Sequence, residues 1–354
     1  QVATAGISPS EIAHPVRAIL RGQANLEFRL AEVQQVEFAA RQLRTSTGMI
    51  TYDYLVLAIG SRTSFFGMEN VARHSFGLKD IHEASAIRNH VLRQFELSAQ
   101  ENDPAKRRAQ LTFAIVGGGP TGVEAAGALS ELARLVLLKD FPSIDPTEVR
   151  VLLLEATSSI LGGFPRQLQE VAADTLWHKH VEVRFGAAVM EYDGRQISLR
   201  TGEAIPAQTM IWAAGVRAES LADSLGVQQG KQGRVIVQPT LQLPEKPEVF
   251  VIGDAAYLES EGEPLPMMAP VAIQCMWSMR ASQAKRGGVA QEPSPEQREM
   301  AWKFNLNTCH VWAEDGDQVR QLQAGGDFEP PIWAVERMVE LGLKPDAWRQ
   351  RMQG

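Results

Sequence analysis

Apolar positions along this chain fall into short unbroken runs and longer interrupted ones, and the two predict different elements. Leu111–Val116, Val149–Leu154 and Met210–Ala214 are apolar almost without interruption, the pattern of strands buried on both faces. Tyr52–Ser61 has the same apolar centre and stops at a glycine. Further strands are expected at Leu26–Phe38, Gln42–Thr45, Met49–Thr51, Val181–Phe185, Val189–Tyr192 and Gln196–Leu199. Helices are expected at Ser10–Arg21, capped by Ser8 or Ser10 with Pro9 near its start, and at Ile81–Ala99, Thr121 to about Lys139, and Gln167–His178. The polar stretch Gln100–Gln110 reads as a linker, with Lys106-Arg107-Arg108 as a solvated cluster beside Glu101 and Asp103. Strands alternating with helices in this way predict an α/β fold with parallel pairing.

The junction after Leu111–Val116 carries the strongest chemical signal. A buried strand runs into Gly117-Gly118-Gly119-Pro120-Thr121-Gly122 and then into a helix. In a dinucleotide clamp the first glycine, Gly117, permits a tight turn, the second, Gly119, lets the backbone approach a pyrophosphate, and the third, Gly122, lets helix and strand pack closely. The phosphates then rest on the helix N-terminus, where free N–H groups and the dipole favour anions. Glu155, at the end of Val149–Leu154, supplies the acid expected to hold the adenosine ribose hydroxyls, a choice that favours NADH over NADPH. Its spacing from the turn exceeds the usual one, and the long helix with the loop Asp140–Thr147 absorbs the excess. Taken alone, Glu155 also reads as an ordinary acid at a strand end.

Two further strand ends repeat the theme. Leu55–Gly60, which passes through Ala58, and Met210–Gly215 each run from an apolar strand through a small residue to glycine. Each alone is a strand-to-turn junction; as a pair flanking the clamp they suggest two nucleotide domains that cross into each other. A third strand, Val249–Ile252, ends in Gly253-Asp254, placing a carboxylate beside a glycine with room for a polyhydroxylated chain such as ribityl.

Composition narrows the classes. The 354 residues suffice for two domains with ample core, and a net charge of −7 gives no reason to expect nucleic acid. No apolar run approaches the length of a membrane span, and the start shows no targeting segment. Cys275 and Cys309 lack zinc or redox-dithiol spacing, so no metal site is expected and a reducing compartment is. His14, His178, His180 and His310 show no convergent partner.

From about Thr4 to Gln274 the chain resembles flavoprotein pyridine-nucleotide reductases with two Rossmann-like domains, most closely the type II NADH dehydrogenases, or NADH:quinone oxidoreductases. The resemblance rests on Ala5–Ile12, Tyr52–Gly60, Gly117–Glu124, Ile211–Val216, Val249–Asp254 and Ala269–Gln274, six motifs in order. It implies FAD and NADH as cofactors, hydride transfer from nicotinamide to flavin, and a quinone as final acceptor. It implies that Asp254 contacts the FAD ribityl, that Val33 lies against the adenine, and that Ala269 and Pro270 lie at the isoalloxazine. A helix starting at Pro270 would aim its N-terminus at the flavin edge that gains charge on reduction. Glu124 matches the glutamate the family keeps beside the flavin, where it would tune the site or relay protons to the quinone; its plainer reading is an acid complementing its own helix dipole. Gln274 would face the quinone. The implied division is an incomplete FAD domain at 1–105 and 240–274, an inserted NADH domain at 106–239, and a divergent tail at 275–354.

The chain departs from the family pattern in two places. The family opens with its own strand and glycine turn for FAD, and this chain begins beyond them, which puts tight FAD binding in question. After Gln274 the expected glutamine and glycine are replaced by Cys275 and Met276, and five of the seven tryptophans follow. A start lost from the reading frame and a shift of frame near residue 275 would produce both, and a replacement domain is the rival reading. The apolar C-terminal helices of the family are not recognised, so the implied peripheral attachment at the inner face of the plasma membrane depends on an intact C-terminus. Homodimer formation stays open, as do a ferredoxin-like or small-molecule acceptor and an inactive NADH-binding fragment.

Overall fold

Proline decides the first departure from the expected pattern. Pro15 bars its predecessors from helical backbone, and the expected helix Ser10–Arg21 is instead two single turns, α1 (Pro9–Ile12) and α2 (Val16–Ile19). The start of α1 is as expected: Ser8 and Glu11 form a capping box with Pro9 in the first helical position. This computed structural model describes residues 1–260, 262–269 and 271–276. Pro270 and the expectations at Glu292–Pro295 and Ile332–Leu343 lie outside the described residues. The chain divides into two compact units, Gln1–Leu265 and Pro266–Gly354.

Within the first unit, β1 (Val33–Glu37), β2 (Gln42–Thr45) and β3 (Gly48–Thr51) form an antiparallel meander. Only the end of the expected strand Leu26–Phe38 is therefore strand. The run Tyr52–Ser61 contributes β4 (Leu55–Leu57), followed by β5 (Ser61–Thr63), α3 (Glu69–His74) and β6 (Phe76–Gly77). Next comes α4 (Ile81–Gln100), begun by an Asp80–Glu83 capping box. The expected linker is not one. Asp103 accepts hydrogen bonds from the amides of Ala105 and Lys106 and Pro104 opens the helix α5 (Pro104–Gln110), an ordinary N-terminal signal. Arg107, from the basic cluster, clasps the Glu148 carboxylate with contacts of 2.7–3.1 Å.

The central sheet is built from β6, β7 (Thr112–Val116), β8 (Arg150–Leu154), β9 (Val181–Arg184) and a later strand, Thr209–Trp212. Between β7 and β8 run α6 (Pro120–Glu131), a π-helical segment Leu132–Leu137 and α7 (Leu138–Asp140); α8 (Arg166–His178) joins β8 to β9. A second antiparallel sheet follows, β10 (Val189–Tyr192), β11 (Gln196–Leu199) and β12 (Ala204–Pro206), before the chain returns as β13 (Thr209–Trp212). The order across the central sheet is β6-β13-β7-β8-β9, parallel throughout. This is the α/β arrangement expected, with a strand-order reversal beside β7.

Alternation along the strands assigns the two faces. Phe113, Ile115, Val151, Leu153 and Ile211 pack with Ile87, Val91 and Phe95 of α4 and with Ala126 and Leu129 of α6. Ala114, Val116, Leu152, Leu154, Met210 and Trp212 pack with Val189, Tyr192, Ile197 and Ile205 of the second sheet. Both faces are covered, which is why the strands read as continuous apolar runs.

The chain then forms β14 (Val216–Ala218), antiparallel to β5, and β15 (Val235–Ile236). The last strands used here are β16 (Gln242–Leu243), β17 (Lys246–Val251), which runs parallel to β4, and β18 (Ala256–Tyr257), which pairs with β15. In the second unit, residues 269 and 271–276 are helical. Among the described residues, no helix is long and apolar enough to cross a membrane.

Candidate dinucleotide site

The three glycines of the turn after β7 stand in three different environments. Gly117 has φ +109°, backbone that side-chain-bearing residues rarely adopt, and a Cβ there would lie 2.6 Å from Ala214 Cα and 2.7 Å from the Ala213 carbonyl oxygen. Its N–H donates to the Leu154 carbonyl at 2.8 Å, tying the ends of β7 and β8 together. A Cβ at Gly122 would run into the Gly117 carbonyl oxygen, far inside contact distance. Only a glycine lets α6 start this close to the strand. At Gly119 a Cβ would meet no protein atom within 4 Å. Its φ of −72° is open to any residue, so neither packing nor conformation requires glycine there; what a side chain would fill is open space in front of the turn. Gly119 is also the N-cap of α6 and has no capping side chain, and Pro120 and Thr121 follow on the exposed first turn.

Glu155 closes one side of this space. Its Oε2 accepts the Gly118 N–H at 2.6 Å and its Oε1 accepts the Thr157 N–H at 2.7 Å. The carboxylate is thus fixed at the lip of the turn by two charge-assisted bonds, with lone pairs to spare for further donors. Thr157 was not foreseen, although a hydroxyl residue two positions beyond a strand-end acid is a familiar way to hold one.

The other side of the turn is β13. The Ala213 N–H donates to the Val116 carbonyl at 2.8 Å, and Gly117 abuts the Ala213–Ala214 backbone. Gly215 follows, its carbonyl accepting the Ser64 N–H at 3.0 Å, while Trp212 Nε1 donates to the Ser64 carbonyl at 2.7 Å. A Cβ at Gly215 would lie 2.7 Å from Cζ of Phe66. The glycine is needed because an aromatic ring covers it, a neighbour that the linear sequence does not announce.

A second group of expected residues gathers at the ends of β4 and β17. Leu57 and Val251 are partners in register, and the Ile252 N–H donates to the Leu57 carbonyl at 3.0 Å. Ala58 and Gly60 therefore leave the sheet beside Gly253 and Asp254. Asp254 Oδ2 accepts from Ser61 Oγ at 2.5 Å and lies 3.2 Å from Lys79 Nζ. Its Oδ1 has no protein donor among the described residues. Ser61 could have been found as the residue after the strand-end glycine; Lys79 has no such signal. Val33 belongs to a different sheet, as the first residue of β1 in the meander.

Glu124 lies exposed on α6, one residue beyond the first turn, so it is not the first-turn acid of the plainer expectation. Partial withdrawal of its carboxyl from water holds its pKa above the ordinary glutamate value. Ala269 and Gln274 belong to the second unit.

Comparison with known proteins agrees with this geometry. The family model described as pyridine nucleotide-disulphide oxidoreductase matches residues 1–275. The type II NADH:quinone oxidoreductase Ndh of Mycobacterium tuberculosis is 37% identical over 286 residues, covering 77% of this chain and 61% of the relative. This chain thus spans less than two thirds of that protein's length. NdhA of the same organism, also a type II NADH:quinone oxidoreductase, is 33% identical over 356 residues, with 96% of this chain and 74% of the relative covered. Among solved structures, NDH2 from Plasmodium falciparum in complex with NADH superposes with a TM-score of 0.66 at 20% identity, covering 72% of this chain and 56% of that one, a likeness of fold.

Proposed function

We infer the activity from one premise: the chain belongs to the pyridine nucleotide-disulphide oxidoreductase family and, within it, to the type II NADH:quinone oxidoreductases. On that premise we propose that it is an FAD-dependent NADH dehydrogenase with a quinone as acceptor. The observation that carries the proposal is the contrast inside the turn. Gly117 and Gly122 are demanded by the protein's own packing, whereas Gly119 is demanded by nothing in the protein and fronts open space. A ligand that must approach the backbone at Gly119 explains its presence, and a pyrophosphate at the start of α6 is such a ligand.

The residues fit NADH in order along the sheet. Glu155, held by Gly118 and Thr157, would accept the hydroxyls of the adenosine ribose and repel a 2′-phosphate, so NADH is favoured over NADPH. The amides of Gly119, Thr121 and Gly122, with Pro120 preset in helical backbone, would bind the pyrophosphate. Gly215 would border the nicotinamide. For FAD, Asp254 has a free oxygen and a second oxygen anchored by Ser61 and Lys79, suited to a ribityl hydroxyl, with Ala58, Gly60 and Gly253 leaving backbone room beside it. Val33 at the adenine, Ala269 and Pro270 at the isoalloxazine and Gln274 at the quinone are assigned on sequence resemblance. So is the division into FAD-binding segments 1–105 and 240–274, an NADH domain at 106–239 and a tail at 275–354. The core of α4 nevertheless packs on the NADH sheet.

When bound, flavin supplies the relay between a two-electron hydride donor and a quinone. This chain's part is to align the donor, exclude water and hold protons. Glu124, whose proton is retained to higher pH than usual, is proposed to hold one on the path to the quinone. Reaching a lipid-phase quinone corresponds to peripheral attachment at the inner face of the plasma membrane.

Reconstitution tests the proposal. The full chain, incubated with FAD and freed of excess, should keep flavin absorbance, bleach on anaerobic addition of NADH and recover on addition of a water-soluble quinone. NADPH should bleach it more slowly. A chain that binds NADH yet keeps no flavin would be a bare dinucleotide module and would overturn the enzyme reading.

A further inference from the structure

Phe66 is an exposed aromatic in an unfavourable backbone conformation, and the fold puts it at the mouth of the candidate site. Its φ is +51°, in the left-handed region that residues other than glycine seldom occupy. Gly67 follows at φ +80°. The ring is 64% exposed. It stands edge-on to Trp212 with centroids 6.2 Å apart, and its Cζ closes over Gly215. The loop beneath is pinned to β13 by the Ser64–Gly215 and Trp212–Ser64 hydrogen bonds. A strained residue held by its surroundings while its apolar ring faces water gains little for folding, and such strain gathers at ligand clamps.

The sheet order says which part of a ligand the ring would meet. This step rests on the dinucleotide reading above. With β7 in the middle, Glu155 at the end of β8 marks the ribose side and Gly119 marks the pyrophosphate. A dinucleotide lies across the reversal of strand order, so its remaining half falls on the β13 side. There it reaches Trp212–Gly215 and, over them, Phe66. The ligand group at that end is the flat nicotinamide ring.

We propose that Phe66 is a positioning residue for the nicotinamide. Its ring forms one wall of the nicotinamide subsite, packing against the carboxamide-bearing ring and fixing its orientation over Gly215, and it has no role in binding the adenosine half. The left-handed backbone at Phe66 turns the side chain outward to serve as that wall.

The test separates the two halves of the ligand. The full chain and its Phe66→Ala variant are titrated with NADH and with adenosine diphosphoribose, which keeps the ribose and pyrophosphate and lacks nicotinamide. Loss of the ring should weaken NADH about two- to tenfold, the range an aromatic contact contributes, and leave adenosine diphosphoribose unchanged. Phe66→Tyr should restore NADH affinity, and thermal unfolding should show both variants folded. Equal NADH affinity in Phe66→Ala, or parallel loss of both ligands, would overturn the proposal. If the unsubstituted chain binds neither ligand, the dinucleotide reading beneath it fails and the proposal with it.

Discussion

Two strands in this chain end alike and sit in unlike surroundings. β7 stops at Gly117 and β4 is followed by Gly60, with φ values of +109° and +70°. β7 is the middle strand of five, buried at every position. β4 is at the edge of a three-stranded sheet, and its Val56 is 40% exposed. A Cβ at Gly117 would strike neighbouring backbone, whereas one at Gly60 would meet nothing within 4 Å. An apolar run ending in glycine thus marks a turn in both places, but only at Gly117 does packing enforce it as well. The tightness of the NADH-side turn is a property of the whole sheet; that of the β4 turn is local.

Gly117→Ala should therefore be the most damaging change. It adds left-handed strain of about 1–2 kcal/mol to overpacking of about 1–3 kcal/mol against backbone that cannot rotate away. Urea unfolding should show a loss of about 3 kcal/mol or more. A loss no greater than that of the equivalent change at Gly60 would erase the distinction between the two strand ends.

Gly119→Val probes the same turn where the protein leaves it open. Stability should stay within about 0.5 kcal/mol, the usual range for a surface change, while NADH affinity falls by more than tenfold, over about 1.4 kcal/mol. Calorimetric titration beside a thermal melt would show it. Undiminished NADH binding would remove the pyrophosphate from this position.

Gly60→Ala should cost about 1–2 kcal/mol from backbone strain alone, read from the same urea titration. Destabilisation equal to that of Gly117→Ala would mean that β4 is as enclosed as β7.

How much of this was legible beforehand follows the same division. The turn, its helix and Glu155 could be read because strands covered on both faces leave unbroken apolar runs, and the glycines punctuate them. α5 was missed although its signal, Asp103 before Pro104, was present; the charge of the following residues masked it. α1 and α2 were read as one helix because apolar spacing was weighed above Pro15. The π-helical segment inside the predicted helix leaves no mark in apolar spacing. Lys79 and Phe66 were illegible for a different reason. Lys79 meets Asp254 across 175 residues, and Phe66 covers Gly215 through a loop whose course is set by hydrogen bonds to β13. Such neighbours are tertiary facts.

The smallest effect is expected from Glu124, which tests whether the packed region withholds water even at its surface. The N-terminal end of α6 favours a charged carboxylate, and burial opposes it; the raised pKa means that burial prevails. A carboxyl whose folded pKa exceeds its unfolded one keeps its proton longer in the folded state. Wild-type stability should then decline as pH rises from the unfolded glutamate value, about 4.3, through the raised folded value, because the folded state binds more protons over that window. Glu124→Gln cannot titrate. Its stability relative to wild type should climb across the window and be level on either side, which urea midpoints of both proteins at a series of pH values would reveal. A difference that stays flat, or slopes the other way, would mean that solvent reaches the carboxyl freely. The proton proposed to be held there for the quinone would then lose its physical basis, while the turn at Gly117 and the pyrophosphate space at Gly119 would stand untouched.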